Sequence, residues 1–389
     1  MNLSEIVIFS EDFPPKDGGI AQWAMGVARS LHRMDYSVRV LTRYMSKDVE
    51  KVQSDEPYPV VQVHGKRWRQ FRSLYAHRAM KSLIASGAKP DVVIATTWNI
   101  ARGLVRVVKK QGTKLIMVVH GLEVTRKMSW LKRRWLIQTL NSADMVIAVS
   151  QFTREQVISR YPVNPEKVVV LPNGVDPAAF YPGADTASLR ERFGLEGKKV
   201  ILTLARLVER KGHDKVIEAL PKVLERVPNV HYLISGSKKG DYYERIKSRV
   251  AELGLESHVT FTGYVVPEEI TLFYNLCDVY IMPSRELEGV GDTEGFGITF
   301  LEANACEKPV IGGRSGGVVD AIVDGKTGYL VDPLSIDEIA EKLIRILSDP
   351  KLAEMLGKNG LVRILEGYTW FMITRKLVND LKNIIIQVN

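Results

Sequence analysis

The sequence predicts an α/β protein built from two doubly wound, parallel-sheet domains. Three observations carry that expectation. The chain has 389 residues, too many for one ordinary core and suited to two domains of roughly 150–200 residues each. Short Val- and Ile-rich runs alternate with helix-length segments throughout, the signature of parallel strands covered by helices. The alternation also stops once, at a Pro- and Gly-containing stretch near Pro182–Thr186, and then restarts.

The first half supplies the runs "IVIFS", "SVRVLTR", "DVVIATT", "KLIMVVHG", "ADMVIAVS" and "KVVVLPNG", each closing on turn or polar residues. Between them, segments such as Gly19–Met34 and Ile100–Gln111 place apolar residues at helical spacing. After "NGVDPAAFYPGADTASLRERFGL" come "KVILTLAR", "VHYLISGS", "HVTFTGYV", "DVYIMPS", "PVIGG" and "TGYLV". The expected domains are therefore 1–182 and 187–367. Residues 368–389 are expected to form an amphipathic helix crossing back over the first domain. No short repeat period is present.

Composition is that of a folded protein, 45% hydrophobic and 25% charged, without a low-complexity tract. The N-terminus lacks the basic start and apolar run of a signal peptide, and no apolar stretch reaches the ~18 residues of a membrane span. Cys277 and Cys306 stand in apolar settings and read as buried free thiols of a reducing compartment. A cytoplasmic protein is expected.

The net charge of +9 is unevenly placed: residues 1–182 hold 27 Lys and Arg against 15 Asp and Glu, the remainder 27 against 30. The excess gathers in residues 57–90, with seven cations and no acid, and in "RKMSWLKRRW", with five cations and two tryptophans. Cations mixed with indoles suit an anionic membrane surface, with Arg126, Lys127, Trp130, Lys132, Arg133 and Arg134 as the contact. A solvated helix face is the plainer alternative. Nucleic acid could use the same ingredients but is not the expected partner.

Two doubly wound domains hold ligands beyond the carboxyl ends of their strands, and the distinctive residues stand there. Gly18 and Gly19 follow the first strand and open a helix, where backbone N–H groups can receive an anion; a tight strand-to-helix turn explains them equally well. The second strand ends without the acid that a dinucleotide fold uses for ribose. His120, in "HGLE", ends another strand and could donate to a ligand oxygen or serve structure alone. In "ARLVERKG", Arg206 and Lys211 lie five apart in a loop opening a helix, suited to a pyrophosphate or simply exposed. In "DTEGFGITFLEA", Glu294 precedes Gly295-Phe296-Gly297 and Glu302 lies eight residues on, about 2.2 helical turns. Carboxylates accept from sugar and ribose hydroxyls, and the intervening backbone offers N–H groups, so acid, N–H nest, acid reads as a sugar nucleotide. A helix cap at Glu294 with a solvated Glu302 is the alternative.

Gly313-Arg314-Ser315-Gly316-Gly317 matches the hydrolase elbow G-x-S-x-G. The last histidine is His258, so the triad order of that class cannot close, and packing on the phosphate or sugar side is the better account. Neither a D-x-D pair nor H-E-x-x-H occurs, and no obligatory metal or cofactor is expected beyond the sugar nucleotide.

Together these motifs resemble family 4 of the retaining glycosyltransferases, which have the GT-B fold of two facing Rossmann-like domains with a cleft between them. The likeness covers essentially the whole chain. Within the family, "EDFPPKDGGIAQW", "HGLEV", "LARLVERKGHDKVIEALP" and "MPSRELEGVGDTEGFGITFLEA" look most like bacterial enzymes that mannosylate phosphatidylinositol mannosides from GDP-mannose. The loop Arg285–Asp292 departs from the pattern in being richer in acids.

The resemblance implies that Arg206 and Lys211 hold the donor diphosphate, and that Glu302 binds ribose. It places Glu294 on the donor sugar, with the N–H groups of Phe296, Gly297 and Ile298 alongside. Base contacts are expected near Gly263 and Val265, and His120 near the reacting carbon. Gly18 and Gly19 would line the phosphate and acceptor side. The acceptor would be lipid-linked or a polysaccharide, at the inner membrane face. UDP-glucose or UDP-N-acetylglucosamine are alternative donors, and a nucleotide-sugar epimerase is an alternative enzyme.

Overall fold

The computed structural model describes residues 3–16, 18–287 and 289–386. The chain divides into two compact units, residues 1–174 with 370–389, and residues 175–369.

In the first unit the described strands are β1 (Ile6–Ser10), β2 (Val38–Arg43), β3 (Val60–Val63), β4 (Val92–Ala95), β5 (Lys114–Val119), β6 (Met145–Ala148) and β7 (Val168–Val170). All pair in parallel, in the order β3-β2-β1-β4-β5-β6-β7. The second unit repeats the plan with β8 (Lys199–Leu204), β9 (Val230–Ser235), β10 (Val259–Gly263), β11 (Val279–Met282), β12 (Val310–Gly313) and β13 (Gly328–Val331), in the order β10-β9-β8-β11-β12-β13. Every residue of β1, β4, β6, β9, β11 and β12 is buried, because helices cover both sheet faces. That is why these strands read as continuous Val/Ile runs rather than alternating ones.

Sheet register is fixed at the amino ends by one recurring device. Asp91, Asp144 and Asp278 each stand just before an inner strand and accept an N–H from the neighbouring strand or from the residues leading into it. Asp91 Oδ2 takes Ser4 N at 2.5 Å, Asp144 Oδ2 takes Leu115 N at 2.8 Å, and Asp278 Oδ2 takes Val200 N at 2.7 Å. Each satisfies a backbone donor that the ladder leaves unpaired at its end.

The division between units falls at Gly174–Val175, upstream of the expected linker. Residues 175–186 belong to the second unit: Thr271 Oγ1 donates to the Ala179 carbonyl at 2.6 Å, Asn275 Oδ1 accepts from Gly183 N at 2.8 Å, and Phe180 meets the edge of Tyr274. The Pro-Gly stretch lies within that unit by these contacts. At the return crossing, Val175 N donates to the Tyr368 carbonyl at 2.9 Å. The helix Trp370–Ile386 then packs on the helix Gly19–Arg33 of the first unit.

Trp370 seats that helix. A Cβ on Gly26 would fall 2.3–2.6 Å from its indole, and one on Gly174 would fall 2.8 Å from its backbone nitrogen. Both positions therefore require glycine for close approach. Gly26→Val should lower the urea midpoint of the first unit by the equivalent of about 1–3 kcal/mol through overpacking, and Trp370→Ala by about 3–5 kcal/mol through the cavity left. Unchanged midpoints in both variants would contradict this packing.

Candidate functional site

In the second unit, strand order reverses between β8 and β11, which makes their carboxyl ends the topological switch point where open α/β sheets bind ligands. After β8 the chain makes a short helical turn, Glu209–Lys211, and Gly212 (φ 77°) hands it to the helix His213–Arg226. A Cβ on Gly212 would meet the Pro283 carbonyl oxygen at 2.2 Å, so glycine lets the β8 loop lie directly against the β11 loop.

That contact brings Lys211 and Glu294 together. Lys211 is buried, and its Nζ donates to Glu294 Oε2 at 2.5 Å and to Met282 Sδ at 3.3 Å. Arg210 is buried as well; its Nη1 donates to the same Oε2 at 2.5 Å and its Nε lies 3.2 Å from Asp292 Oδ1. Burial by itself would raise the Glu294 carboxyl, but Lys211 and Arg210 overcome it and hold the pKa at about 2. Burial keeps the Lys211 ammonium below its ordinary range, with the Glu294 charge opposing it and Arg210 and Arg206 adding to it. Arg206 itself is exposed, with its charge within reach of Lys211.

The loop carrying Glu294 is fastened from three sides. Arg285 makes a two-pronged pair with Asp214 at 3.0 and 2.8 Å, and its N–H donates to the Arg210 carbonyl at 2.8 Å. Gly317 N donates to the Glu294 carbonyl at 2.8 Å, and a Cβ on Gly316 (φ 58°) would fall 2.4 Å from Thr293 Oγ1. The elbow-like Gly313–Gly317 turn is therefore a clasp on residues 293–294, and Ser315 Oγ serves it by accepting Glu286 N at 3.1 Å.

Glu294 leads through Phe296 (buried) and Gly297 (φ 93°) into the helix Ile298–Ala305. Glu302, on that helix, is only 3% exposed and accepts from Tyr274 Oη at 2.7 Å, so it is no solvated helix residue. Burial raises the Tyr280 hydroxyl, and the charges of Glu302 and Glu294 add to that rise. Gly263 (φ 91°) closes β10, its carbonyl accepts Gly236 N at 2.9 Å, and Val265 is buried just beyond.

In the first unit, Gly18 (φ 135°) and Gly19 open the helix Gly19–Arg33 beyond β1, and both are exposed. His120 follows β5, beside the edge of Trp23. Burial depresses its pKa to about 4, against a smaller rise from the Thr96 backbone, while Nε2 is buried without a protein partner. A neutral imidazole carries one donor and one acceptor nitrogen. Glu123 caps the following turn, taking the His120 N–H at 2.6 Å.

The basic stretches lie on neighbouring helices. Trp68–Ala85 packs on Trp98–Lys110, which packs on Trp130–Ser142. Arg126, Lys127, Lys132, Arg133 and Arg134 are exposed, as is Trp130 at 74%. Phe71 and Leu74 are exposed on the first of these helices. Trp135 turns inward beneath the Arg102 guanidinium, 3.8 Å away. Among the described residues, no helix is long and apolar enough to cross a membrane.

Residues 17–179 match the family described as Glycosyltransferase Family 4, and residues 185–363 that described as Glycosyl transferases group 1. The chain is 35% identical to the GDP-mannose-dependent alpha-(1-6)-phosphatidylinositol monomannoside mannosyltransferase of Mycolicibacterium smegmatis, over 94% of this chain and 95% of that protein. It is 28% identical to the GDP-mannose-dependent monoacylated alpha-(1-6)-phosphatidylinositol monomannoside mannosyltransferase of Corynebacterium glutamicum, over 97% of both. Among solved structures it is similar to Anabaena Alr3699/HepE in complex with UDP and glucose, with a TM-score of 0.81, 21% identity and coverage of 98% of this chain and 100% of that one. The chain belongs to glycosyltransferase family 4 and has the GT-B fold. It is a glycosyltransferase, an enzyme that takes a sugar nucleotide and an acceptor.

Arg210, Asp292, Asp214 and Arg285 were not among the residues expected from the sequence. The only sequence signal was that Arg210 adjoins Lys211 and that Asp292 lies two residues before Glu294.

The acid behaviour of Glu294 follows from its partners. A carboxyl lowered in the folded state contributes stability above its ordinary value of 4.5 and loses it as pH falls toward about 2. Glu294→Gln should therefore be less stable than wild type at pH 6, by about 3 kcal/mol as for a broken buried pair. In urea titrations the gap should narrow steadily below pH 4.5; a gap independent of pH would contradict the charge assignment.

Proposed function

We propose that the protein transfers mannose from GDP-mannose, with retention, to the hydroxyl of a lipid-linked acceptor at the inner membrane face. The observation that carries the reading is the Lys211–Glu294 contact at the switch point, 2.5 Å between Nζ and Oε2. It supports a donor site in which a cation for the diphosphate and a carboxylate for the sugar stand side by side. The names of the two mannosyltransferase relatives support the donor and the lipid acceptor.

In this reading Arg206 and Lys211 hold the diphosphate and stabilise it as it leaves. Glu294 accepts from the mannose hydroxyls beside the N–H groups of Phe296, Gly297 and Ile298. Glu302 takes the ribose, and the backbone near Gly263 and Val265 meets the base. His120 contacts the donor sugar near the reacting carbon, and the Gly18–Gly19 turn receives phosphate or acceptor. The bond from the anomeric carbon to the diphosphate breaks and the acceptor oxygen bonds to the same face. The acceptor proton passes to a phosphate oxygen, so no protein base takes part.

Arg126, Lys127, Trp130, Lys132, Arg133 and Arg134 hold the enzyme on an anionic bilayer as a peripheral protein. The supporting observation is that the second basic helix, Trp68–Ala85, lies in the same helical layer and exposes Phe71 and Leu74.

Thermal shift and donor turnover across GDP-mannose, UDP-glucose, UDP-N-acetylglucosamine and UDP-galactose test the donor. Stabilisation by GDP-mannose alone is expected, and a selective UDP-sugar response would move the reading to that donor. Product formation without an acceptor would instead indicate an epimerase. Lys211→Ala and Glu294→Ala should each lower transfer by about 10²–10³-fold while the circular dichroism spectrum is kept. Full activity in either would overturn its role.

Binding to vesicles containing anionic lipid should fall with salt, and a Lys132→Gln, Arg133→Gln, Arg134→Gln variant should be released at low ionic strength. Equal binding to neutral vesicles would refute the membrane contact.

A further inference from the structure

Glu294 Oε2 is shared between two cations of different fate. Lys211 Nζ and Arg210 Nη1 both lie 2.5 Å from it, and Arg210 reaches Asp292 Oδ1 with its Nε at 3.2 Å. The Arg210 side chain is 6% exposed, against 15% for Glu294. The Lys211 side chain is 10% exposed.

The function proposed above asks Lys211 and Glu294 to serve different parts of the donor. A diphosphate competes with Glu294 for the Lys211 ammonium. If Lys211 were the carboxylate's only partner, donor binding would strand a buried negative charge, which is strongly unfavourable. The planar guanidinium can hold two carboxylates in fixed directions at once, which a lysine ammonium cannot do with the same definition. We propose that Arg210 is a positioning residue that keeps Glu294 and Asp292 in place so that Lys211 can leave the carboxylate for the donor diphosphate. The inference rests on the donor-site reading.

The consequence separates Arg210 from a residue that only supports the fold. Without it, Lys211 is the sole counter-charge of Glu294 and is withheld from diphosphate. Removing Glu294 as well should release Lys211 again. The experiment is calorimetric binding of GDP, with no sugar present, to wild type and to Arg210→Met, Glu294→Ala and the double variant, together with donor KM and kcat where the protein turns over.

Arg210→Met should weaken GDP binding by about ten- to a hundred-fold, the range of one charged hydrogen bond, with donor KM raised alongside. The double variant should return to the GDP affinity of Glu294→Ala. Arg210→Lys keeps the charge without the bridge to Asp292 and covers the case in which Arg210→Met does not fold. It should bind GDP within about threefold of wild type and still raise donor KM.

Wild-type GDP affinity in Arg210→Met, or a double variant as weak as Arg210→Met, would overturn the proposal for Arg210 while leaving the donor site intact. If Arg210→Met does not fold, wild-type donor KM in Arg210→Lys overturns it. Wild-type protein that binds neither GDP nor UDP would overturn the donor-site reading, and the role of Arg210 with it.

Discussion

The second unit is organised around a buried cluster of opposite charges, Lys211 and Arg210 on Glu294, with Asp292 on the far side of Arg210. Charges removed from water are tolerated only when their partners are close and well directed. That requirement dictates much of the surrounding backbone. The β8 and β11 loops must touch, so Gly212 lies against Pro283; the acidic loop must be immobile, so Gly316 and Gly317 clasp it; and Arg285 ties it to Asp214. The glycines that look like ligand-binding turns in the sequence are, at these positions, the means by which two loops approach within hydrogen-bond distance.

Much of this architecture was legible before the structure. Strands buried on both faces announce themselves as Val/Ile runs, and parallel pairing follows from the helices between them. Lys211 and Glu294 were legible because each follows a strand in a glycine-bearing loop. Their direct contact was not, since they lie 83 residues apart and no spacing rule reaches that far. For the same reason Arg210 drew no reading of its own, although its guanidinium pairs with Glu294 and Asp292 of another loop.

Other departures have local causes. The Pro182–Thr186 stretch reads as a junction because turns and linkers share a composition; side-chain bonds from Thr271 and Asn275 assign the preceding residues to the second unit. Trp135 resembles Trp130 in sequence, yet a helix turns residues five apart to different faces, and Trp130 is largely exposed while Trp135 is partly buried under Arg102. The lowered pKa of His120 comes from its burial, which sequence does not reveal.

The three aspartates at the amino ends of the sheets imply a separation of duties within each unit. They stitch β1, β5 and β8 to the strand beside each at the edge opposite the one where Lys211, Glu294 and His120 stand. Strand alignment is thus anchored without recruiting any group that chemistry requires. Loops at the carboxyl edge are free to be exchanged, lengthened or recharged, as the acid-rich Arg285–Asp292 segment illustrates, while the sheet beneath keeps its registration. A scaffold wired in this way can acquire a new acceptor or donor by rewriting one rim.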